Sequence, residues 1–545
     1  MSVLRSSLIM ASGTVMSRFL GILRAILLAA TIGVTTNAAD AFGVANQLPN
    51  NVYAIIVGGV LNAVLVPQIV RARVHLDGGN AYIDRLLTIA IVTFGAITVL
   101  TTVSAPLLVS LYTSGWDADQ LALATAFSYW CLPQLFFYGL YSLLGEVLNA
   151  KSKFGPYMWA PVLNNIVAII GMAAFIWQFG LDPTGQQSVS EWTQQQISWL
   201  AGSATLGVAS QALILFVFWK RMGLSFKFNF SWRGVGLGPA MKTASWTLGM
   251  LIVTQIGGIV QTAVASRAIQ GRELLVDNQL AIASVAAMSI AWLIFMLPHS
   301  VATVSIATAY FTRMSVHAME KNFDDLKKDL VEGLRTIAMI SVLATTALIV
   351  LAYPVSRIFV GELPGAIALG NVVIAMVVGL LPFSFVFMIQ RAFYSLEDTR
   401  TPFVFTIVQV GVNITGSLLV GIYVEDIWMV VGLSLVTSTS ILIQFGLAFA
   451  LFRRKFGSLS HGQLTLATIK FLVAAIPAGG AGYWLLQVMG GIKQGAFPIG
   501  SVLSAVVTCI SIGAVVTLVY ILVLKLLRVK EVDILLAPIV RLLRR

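Results

Sequence analysis

Two arginines lie in the first long apolar segment of the chain, where an isolated charge is costly. Arg18 and Arg24 interrupt a stretch that also contains Gly13, Ser17 and Gly21. On a helix, the small residues and Arg24 form one narrow stripe, and Arg18 lies at its edge. A guanidinium at bilayer depth costs about 2.5 to 3.5 kcal/mol, so a membrane-spanning segment would turn both arginines toward a cavity or a partner. The alternative, snorkelling to the near interface, fits Arg24 poorly because it lies deep in the segment.

Further polar residues surround a proline in the second apolar segment. Asp40 opens this segment, and the run QLPNN at 47–51 follows it. Asp40 could pair with Arg24 across the first hairpin, or it could be stabilised by the dipole at a helix N-terminus; both readings stay open. Beside Pro49, Gln47 and Asn50 are expected to face a water-filled cavity, because proline frees a backbone carbonyl there.

The main candidates for binding a substrate are Arg18, Arg24, Ser17, Asp40 and Asn50. Weaker candidates for the wall of the same cavity are Gly21, Gln47, Tyr53, Gln255, Trp292 and His299. A single histidine that follows a proline, as His299 does, is more often packed than part of a proton relay.

The chain offers little for catalysis or metal binding. Its four histidines form no HExxH pair, and no Gly-x-x-x-x-Gly-Lys-Ser/Thr loop could hold ATP phosphates. Cys131 and Cys509 lie far apart in apolar stretches, so neither a disulfide framework nor a multi-cysteine metal site is expected. The acidic residues at 320–329 alternate with cations and predict a surface helix rather than paired catalytic carboxylates. We therefore expect that the chain is not an enzyme and that it binds neither a metal nor a cofactor.

Composition predicts a membrane protein. Of 545 residues, 58% are hydrophobic and only 10% are charged, and the mean hydropathy is +0.90. Soluble domains carry about 25% charged residues, so most soluble classes are excluded. Segments long enough to cross a bilayer as helices number fourteen. They are 7–31, 41–69, 86–113, 121–149, 157–179, 197–219, 240–266, 279–310, 334–358, 367–393, 403–423, 427–452, 466–488 and 499–527.

The excess of cations predicts orientation rather than nucleic-acid binding. With a cytoplasmic N-terminus, 28 of the 34 lysines and arginines fall on the inner side and 4 on the outer side, and the remaining 2 are Arg18 and Arg24. Such a distribution follows the positive-inside rule and predicts that both termini are cytoplasmic.

An internal repeat organises the spans. At an offset of 249, Leu48-Pro49 matches Leu297-Pro298 and Leu132-Pro133 matches Leu381-Pro382. Six spans separate equivalent helices, so the halves share one orientation. The sequence thus predicts an all-α polytopic membrane protein with two parallel six-helix lobes and a C-terminal helix pair. The predicted parts are 1–225, 235–455, a helix pair within 464–528, and an amphipathic cytoplasmic tail at 529–545.

Four segments give the chain a resemblance to a known family. They are SRFLGILR at 17–24, ADAF at 39–42 followed by LPN at 48–50, LNAKSKF at 148–154 and FYSLEDTRTP at 393–402. With these, the chain resembles the MurJ (MviN) family of lipid II flippases, in the multidrug/oligosaccharidyl-lipid/polysaccharide exporter superfamily, over nearly its whole length. Relatives differ in having an aspartate at the position of Ala25 and arginines near Tyr53 and Leu293.

The resemblance implies a function as well as a fold. It implies a flippase that moves lipid II, an undecaprenyl-diphosphate-linked disaccharide peptide, from the inner to the outer leaflet of the bacterial cytoplasmic membrane by alternating access. It also implies a groove for the lipid tail between the last two spans, and cavity roles for Arg18, Arg24 and Asp40. A membrane potential or a coupling ion would supply the energy. Expected partners are lipid II, membrane lipids and cell-wall synthesis proteins, with no nucleic acid.

Two other functions stay open. One is a cation-coupled multidrug exporter of the same superfamily, although two arginines in the first span would repel a cationic substrate. The other is a non-transporting scaffold that recruits cell-wall enzymes through its basic inner loops, for which Arg18 and Arg24 would be dispensable.

Overall fold

The chain is described by a computed structural model covering residues 3–56, 80–150, 154–221, 226–231, 237–273, 280–457, 461–529 and 531–532. These residues form helices and connecting loops, with no strand among them. They divide into two compact units, Met1–Ile269 and Gln270–Arg545.

The described residues of the first unit form nine α-helices. They are α1 (Val3–Ile32), α2 (Asn37–Ile56), α3 (Asn80–Val103), α4 (Ala105–Tyr112), α5 (Ala118–Cys131), α6 (Gln134–Ala150), α7 (Phe154–Phe179), α8 (Gln194–Arg221) and α9 (Leu237–Arg267). A single 3-10 turn, Val189–Glu191, lies between α7 and α8.

The second unit contains twelve α-helices among its described residues. They are α10 (Gln270–Glu273), α11 (Val285–Pro298), α12 (Val304–Met319), α13 (Phe323–Val350), α14 (Ala352–Phe359), α15 (Leu363–Val377), α16 (Leu380–Ser395), α17 (Arg400–Tyr423), α18 (Asp426–Phe456), α19 (His461–Val488), α20 (Phe497–Gly500) and α21 (Val502–Leu526). A π-helical turn, His299–Thr303, joins α11 to α12.

The helices agree with the predicted multi-pass membrane fold. Twelve helices of the described chain are long and apolar enough to cross a membrane, and one bent pair, α15 with α16, could supply a thirteenth span. The predicted second span, 41–69, begins as α2, and its continuation lies outside the described residues. A total of fourteen is consistent with this pattern. The predicted tail at 529–545 also lies almost entirely outside the described residues.

Four spans that the sequence predicts as single helices are each broken in two. The breaks lie between α3 and α4, α5 and α6, α13 and α14, and α15 and α16. A proline lies at or shortly after each break, namely Pro106, Pro133, Pro354 and Pro382. Because proline has no N–H and its ring clashes with the carbonyl four residues earlier, it ends the preceding helix.

The breaks recur in the same order in both halves of the chain. In each half a long helix is followed by an eight-residue helix, α4 or α14, and then by a span in two pieces. The repeat is therefore visible in the elements as well as in the sequence. The two prolines of the longest predicted spans differ in effect, since α2 continues through Pro49 whereas α11 ends at Pro298.

The helix pair α19 and α21 packs on α13 within the second unit. Phe471, Ile512 and Tyr520 belong to one buried apolar cluster that also includes residues of α13 and α16. The hydroxyl of Tyr520 donates a hydrogen bond to the carbonyl of Met339 on α13 at 3.0 Å.

Helix α9 packs within the first unit, although the repeat predicts it to be the first helix of the second lobe. The backbone N–H of Ser114 donates to Ser266 Oγ at 2.8 Å, and Trp116 Nε1 donates to the Ser266 carbonyl at 3.0 Å. The end of α9 is thereby fastened to the loop that follows α4. The predicted lobe boundary at 225–235 stays a prediction.

Candidate functional site

Arg24 lies inside the first unit beside polar side chains of α6. Its nearest electrostatic neighbours include Tyr138 and Cys131. Leu28 and Phe42 line a small pocket together with Arg24. None of the ion pairs between described residues includes Arg24. Arg24 is half-buried. A partly desolvated cation without a carboxylate partner is costly, so this position is suited to an incoming anion.

Tyr138, the phenol that interacts with Arg24, belongs to a set of amide and phenol groups that form hydrogen bonds with one another. Gln134 Nε2 donates to Asn46 Oδ1 at 3.4 Å, and the hydroxyl of Tyr138 donates to Gln134 Oε1 at 3.3 Å. The side chain of Asn50 lies beside the Tyr138 hydroxyl. We call Arg24, Asn46, Asn50, Gln134 and Tyr138 the polar cluster. The other members of the cluster are neutral, so they do not compensate the positive charge of Arg24.

The polar cluster extends toward the end of α2. Tyr53 and Tyr138 have ring centroids 5.3 Å apart, and the Tyr53 hydroxyl is hydrogen-bonded to Ser142 Oγ on α6. The buried Oε1 atom of Gln47 has no hydrogen-bond partner among the described residues. Of the predicted candidates, Arg24, Asn50 and Tyr53 are thus brought together, with Gln47 on the same helix.

The small residues of the first span contact a neighbouring helix. Asn165 Nδ2 on α7 donates to the Ser17 carbonyl at 2.9 Å and lies 3.4 Å from Ser17 Oγ. A Cβ atom on Gly13 would lie 2.8 Å from the carbonyl oxygen of Met158. The stripe of Gly13, Ser17 and Gly21 therefore lets α1 approach α7 closely, as small residues do between membrane helices. Arg18, at the edge of this stripe, is exposed.

Asp40 is fully buried in the first turn of α2. The sequence allowed Asp40 either to be stabilised at the helix N-terminus or to pair with Arg24. In the structure Asp40 lies at the helix N-terminus. No ion pair between described residues joins it to Arg24. The reason is their depth, since Arg24 lies about 12 Å before the end of α1 and Asp40 only about 5 Å after the start of α2. Ala39 N–H donates to Thr36 Oγ1 at 3.1 Å, which caps the same turn.

The remaining candidates lie on other helices. Gln255 is half-buried on α9. Trp292 is 42% exposed and stacks on Phe295 at 5.2 Å. His299 is buried; its Nδ1 lies 3.2 Å from Ser384 Oγ, and its ring lies 4.5 Å from that of Phe383. These contacts are those of a packed histidine.

Aromatic rings of the second unit form a counterpart to the polar cluster. Phe295 and Phe383 have centroids 5.4 Å apart, and His299 lies 5.2 Å from Phe387. We call Trp292, Phe295, His299, Phe383 and Phe387 the aromatic cluster. Two of its contacts match contacts in the polar cluster at the offset of 249. The equivalent pairs are Asn46–Gln134 with Phe295–Phe383, and Asn50–Tyr138 with His299–Phe387. The repeat therefore relates contacts in space, but the chemistry of the two clusters differs.

The motif FYSLEDTRTP at 393–402 has a structural role at the start of α17. Asp398 accepts hydrogen bonds from the N–H of Thr401 at 2.9 Å, from the Thr401 hydroxyl at 2.7 Å and from Lys455 Nζ at 2.6 Å. Burial of the carboxyl opposes its ionisation, but the bonds from Lys455 and Thr401 outweigh burial and lower the pKa of Asp398.

Asp398→Ala is expected to destabilise the protein by about 1 to 2 kcal/mol, since the change removes the acceptor of the hydrogen bonds from Thr401 and Lys455. Because the pKa of Asp398 is lower in the folded than in the unfolded protein, its contribution is complete above about pH 4 and is lost as the pH falls through the folded pKa. Thermal unfolding in detergent between pH 3 and pH 7 measures this effect. A constant difference between wild type and Asp398→Ala across that range would contradict it.

Duplicated apolar helices, spans broken at prolines and a polar cluster within the first half are features of a multi-pass membrane transporter. Comparison with solved structures shows that this fold is a known one. The fold is similar to that of "Lipid II flippase MurJ, inward closed conformation", with a TM-score of 0.69 and 18% identity over 94% of this chain and 98% of the other. It is also similar to an inward-facing MATE multidrug transporter of the MOP superfamily, with a TM-score of 0.60 and 17% identity over 81% of this chain and 99% of the other.

Sequence comparison gives the family. The family model described as "Lipid II flippase MurJ" matches residues 28–535, so the chain belongs to that family. The protein named "Probable lipid II flippase MurJ" of Vibrio cholerae is 25% identical over 525 residues, which cover 91% of this chain and 92% of the relative. Its namesake in Haemophilus influenzae is 25% identical over 434 residues, which cover 74% of this chain and 78% of the relative.

Proposed function

We propose that this protein is a lipid II flippase, which moves the lipid-linked peptidoglycan precursor from the inner to the outer leaflet of the bacterial cytoplasmic membrane. The observation that carries the proposal is Arg24, a cation inside the first unit that interacts with the neutral Tyr138 and forms no ion pair with another described residue. A diphosphate cannot cross hydrocarbon unaided, and a guanidinium binds phosphate oxygens through two parallel hydrogen bonds. The flippase is thus a transporter rather than an enzyme.

The polar cluster can hold both charged and neutral parts of such a headgroup. Arg24 would bind the diphosphate, while Asn50, Gln134 and Tyr138 supply amide and hydroxyl groups that can bond to sugar hydroxyls. Both lobes would then rock around the bound headgroup, with both termini in the cytoplasm. A membrane potential or a coupling ion would drive the cycle, and cell-wall synthesis proteins would receive the product.

A groove on the second unit offers a place for the prenyl tail. It has a volume of about 480 Å³ and is formed by α13, α14 and α19, with Ile349, Ile476 and Tyr483 among its lining residues. None of its lining residues belongs to α21, so a groove between the last two spans stays a prediction. Gly480 also lines the groove, and a Cβ atom there would meet nothing within 4 Å.

Gly480→Phe is expected to fill this groove without disturbing the packing, and to lower the flipping rate of lipid II severalfold. The loss should be larger for an undecaprenyl tail than for a short prenyl tail, since only a long chain needs the groove. Flipping rates of both substrates in proteoliposomes provide the measurement, and Gly480→Ala is the matched control. Equal losses with both tails would count against a groove for the tail.

Complementation of a depletion strain tests the proposed function. The gene should restore growth to bacteria depleted of their own lipid II flippase, and labelled lipid II should again become accessible at the outer leaflet. Failure of both, with the protein present in the membrane, would contradict the proposal. Drug-sensitivity profiles of the same strain test for multidrug export, for which the MATE-like fold is the supporting observation.

A further inference from the structure

The second repeat has its own cation next to the aromatic cluster. Phe383, Phe387 and Arg391 follow one another at four-residue spacing along one face of α16. At the offset of 249 they are the counterparts of Gln134, Tyr138 and Ser142 in α6. The face of α6 that carries the polar cluster thus corresponds to a face of α16 that carries two rings and a guanidinium.

Two aromatic rings hold the Arg391 side chain in place. Its guanidinium carbon lies 4.9 Å from the ring centroid of Phe387 on the same helix and 5.6 Å from that of Phe311 on α12. Contact with a ring occupies the face of the guanidinium and leaves the N–H groups at its edge for an acceptor. Arg391 is therefore fixed in position, and its N–H groups remain available to bind an anion through two parallel hydrogen bonds.

Among the described residues, no carboxylate forms an ion pair with Arg391. Two carboxylates of the same unit bind other cations. Asp398 bonds to Lys455 at 2.6 Å, and Asp329 bonds to Arg313 at 2.5 Å. The side chain is half-buried, so its charge is only partly screened by solvent.

We propose that Arg391 is the anion-binding residue of the second repeat and receives a phosphate group of the substrate. The inference rests on the proposed function and adds a residue to it. Arg391 lies one helical turn, about 6 Å, beyond Phe387, which is the counterpart of Tyr138 beside Arg24. On the predicted topology this turn leads toward the cytoplasmic end of the span. Arg391 thus binds the headgroup during loading from the inner leaflet.

Initial flipping rates at increasing mole fractions of labelled lipid II in proteoliposomes test this assignment. Arg391→Ala should raise the half-saturating mole fraction about tenfold, the effect of one charge-assisted hydrogen bond, and leave the maximal rate within about twofold of wild type. Arg391→Lys should recover part of the affinity, because lysine keeps the positive charge but lacks the planar guanidinium that can bind two oxygens at once. Arg454→Ala, at an exposed cation of the same unit, should resemble wild type.

A second measurement separates this inference from the proposed function. Binding of undecaprenyl diphosphate to purified protein, titrated by intrinsic tryptophan fluorescence, should weaken about tenfold in Arg391→Ala relative to Arg454→Ala. Wild-type affinity in Arg391→Ala would overturn the role of Arg391 whether or not the protein flips lipid II. Loss of maximal rate with an unchanged half-saturating mole fraction would overturn it as well. If wild type binds but does not flip, the proposed function fails and the binding comparison still decides on Arg391.

Discussion

Arg24→Ala is expected to abolish growth in a flippase depletion strain and to reduce lipid II flipping at least about 100-fold. Removing one partner of a buried charged contact costs about 3 to 5 kcal/mol, and each 1.4 kcal/mol is a factor of ten. The loss should be this large because no other cation belongs to the polar cluster. Growth complementation and outer-leaflet exposure of labelled lipid II, at matched protein levels, provide the measurement.

Two controls define the role of Arg24. Arg24→Lys keeps the charge but not the planar fork, so it should retain a small fraction of the rate. Arg221→Ala removes an exposed cation from the end of α8 and should leave growth normal. Normal growth and normal exposure of lipid II in Arg24→Ala would show that Arg24 does not bind the headgroup.

A disulfide between positions 114 and 266 is expected to stop transport completely and reversibly. The backbone N–H of Ser114 lies 2.8 Å from Ser266 Oγ, so the paired replacements Ser114→Cys and Ser266→Cys place two thiols close together. On the predicted topology both positions lie at the outer face. A bond there would fasten α9, the first helix of the second repeat, to the loop after α4 and prevent α9 from moving away from it.

Flipping by the double variant should fall to background after oxidation and return after reduction. Each single variant should flip at the wild-type rate in both conditions. The native thiols interfere little, because Cys131 is buried and Cys509 is half-buried within the apolar helix α21. Quantitative crosslinking with an undiminished flipping rate would contradict a cycle in which α9 leaves this loop.

The residues of the site differed in how well the sequence predicted them. Arg24 was conspicuous because a charge in an apolar segment requires a partner or a cavity. Gln134 and Tyr138 were missed, since an amide and a phenol are common on helix surfaces. Their spacing of four residues, continued by Ser142, was a signal. It becomes informative only once the face of α6 that meets α2 is known.

Small and titratable residues show a second limit on what the sequence can predict about the site. The stripe of Gly13, Ser17 and Gly21 carries the pattern of a cavity wall and equally that of a close helix contact, and only the position of α7 distinguishes them. Asp329 was interpreted as part of a surface helix, yet it is 2% exposed and bonded to Arg313 at 2.5 Å. The partner lies on the preceding helix, so its register could not be obtained from the local pattern.

The fold was predictable where a single physical requirement dominates. Bilayer thickness sets the length of each apolar segment, so most spans lie near the expected positions. The breaks at Ser104 and Leu351 were not predicted, because a proline in a membrane helix can bend the helix, interrupt it or leave it intact. Pro49 and Pro298 illustrate this choice, since packing in the surroundings decides between a continuous helix and a π-helical turn.

Flipping of labelled lipid II by purified protein in proteoliposomes tests the central claim most directly. Wild type should move the label from one leaflet to the other, Arg18→Ala should be slower, and Arg24→Ala should match empty liposomes. The expected difference between wild type and Arg24→Ala is at least about 100-fold. A wild-type protein that leaves lipid II in its original leaflet, under the potential or ion gradients supplied, would contradict the assignment of this chain as a lipid II flippase.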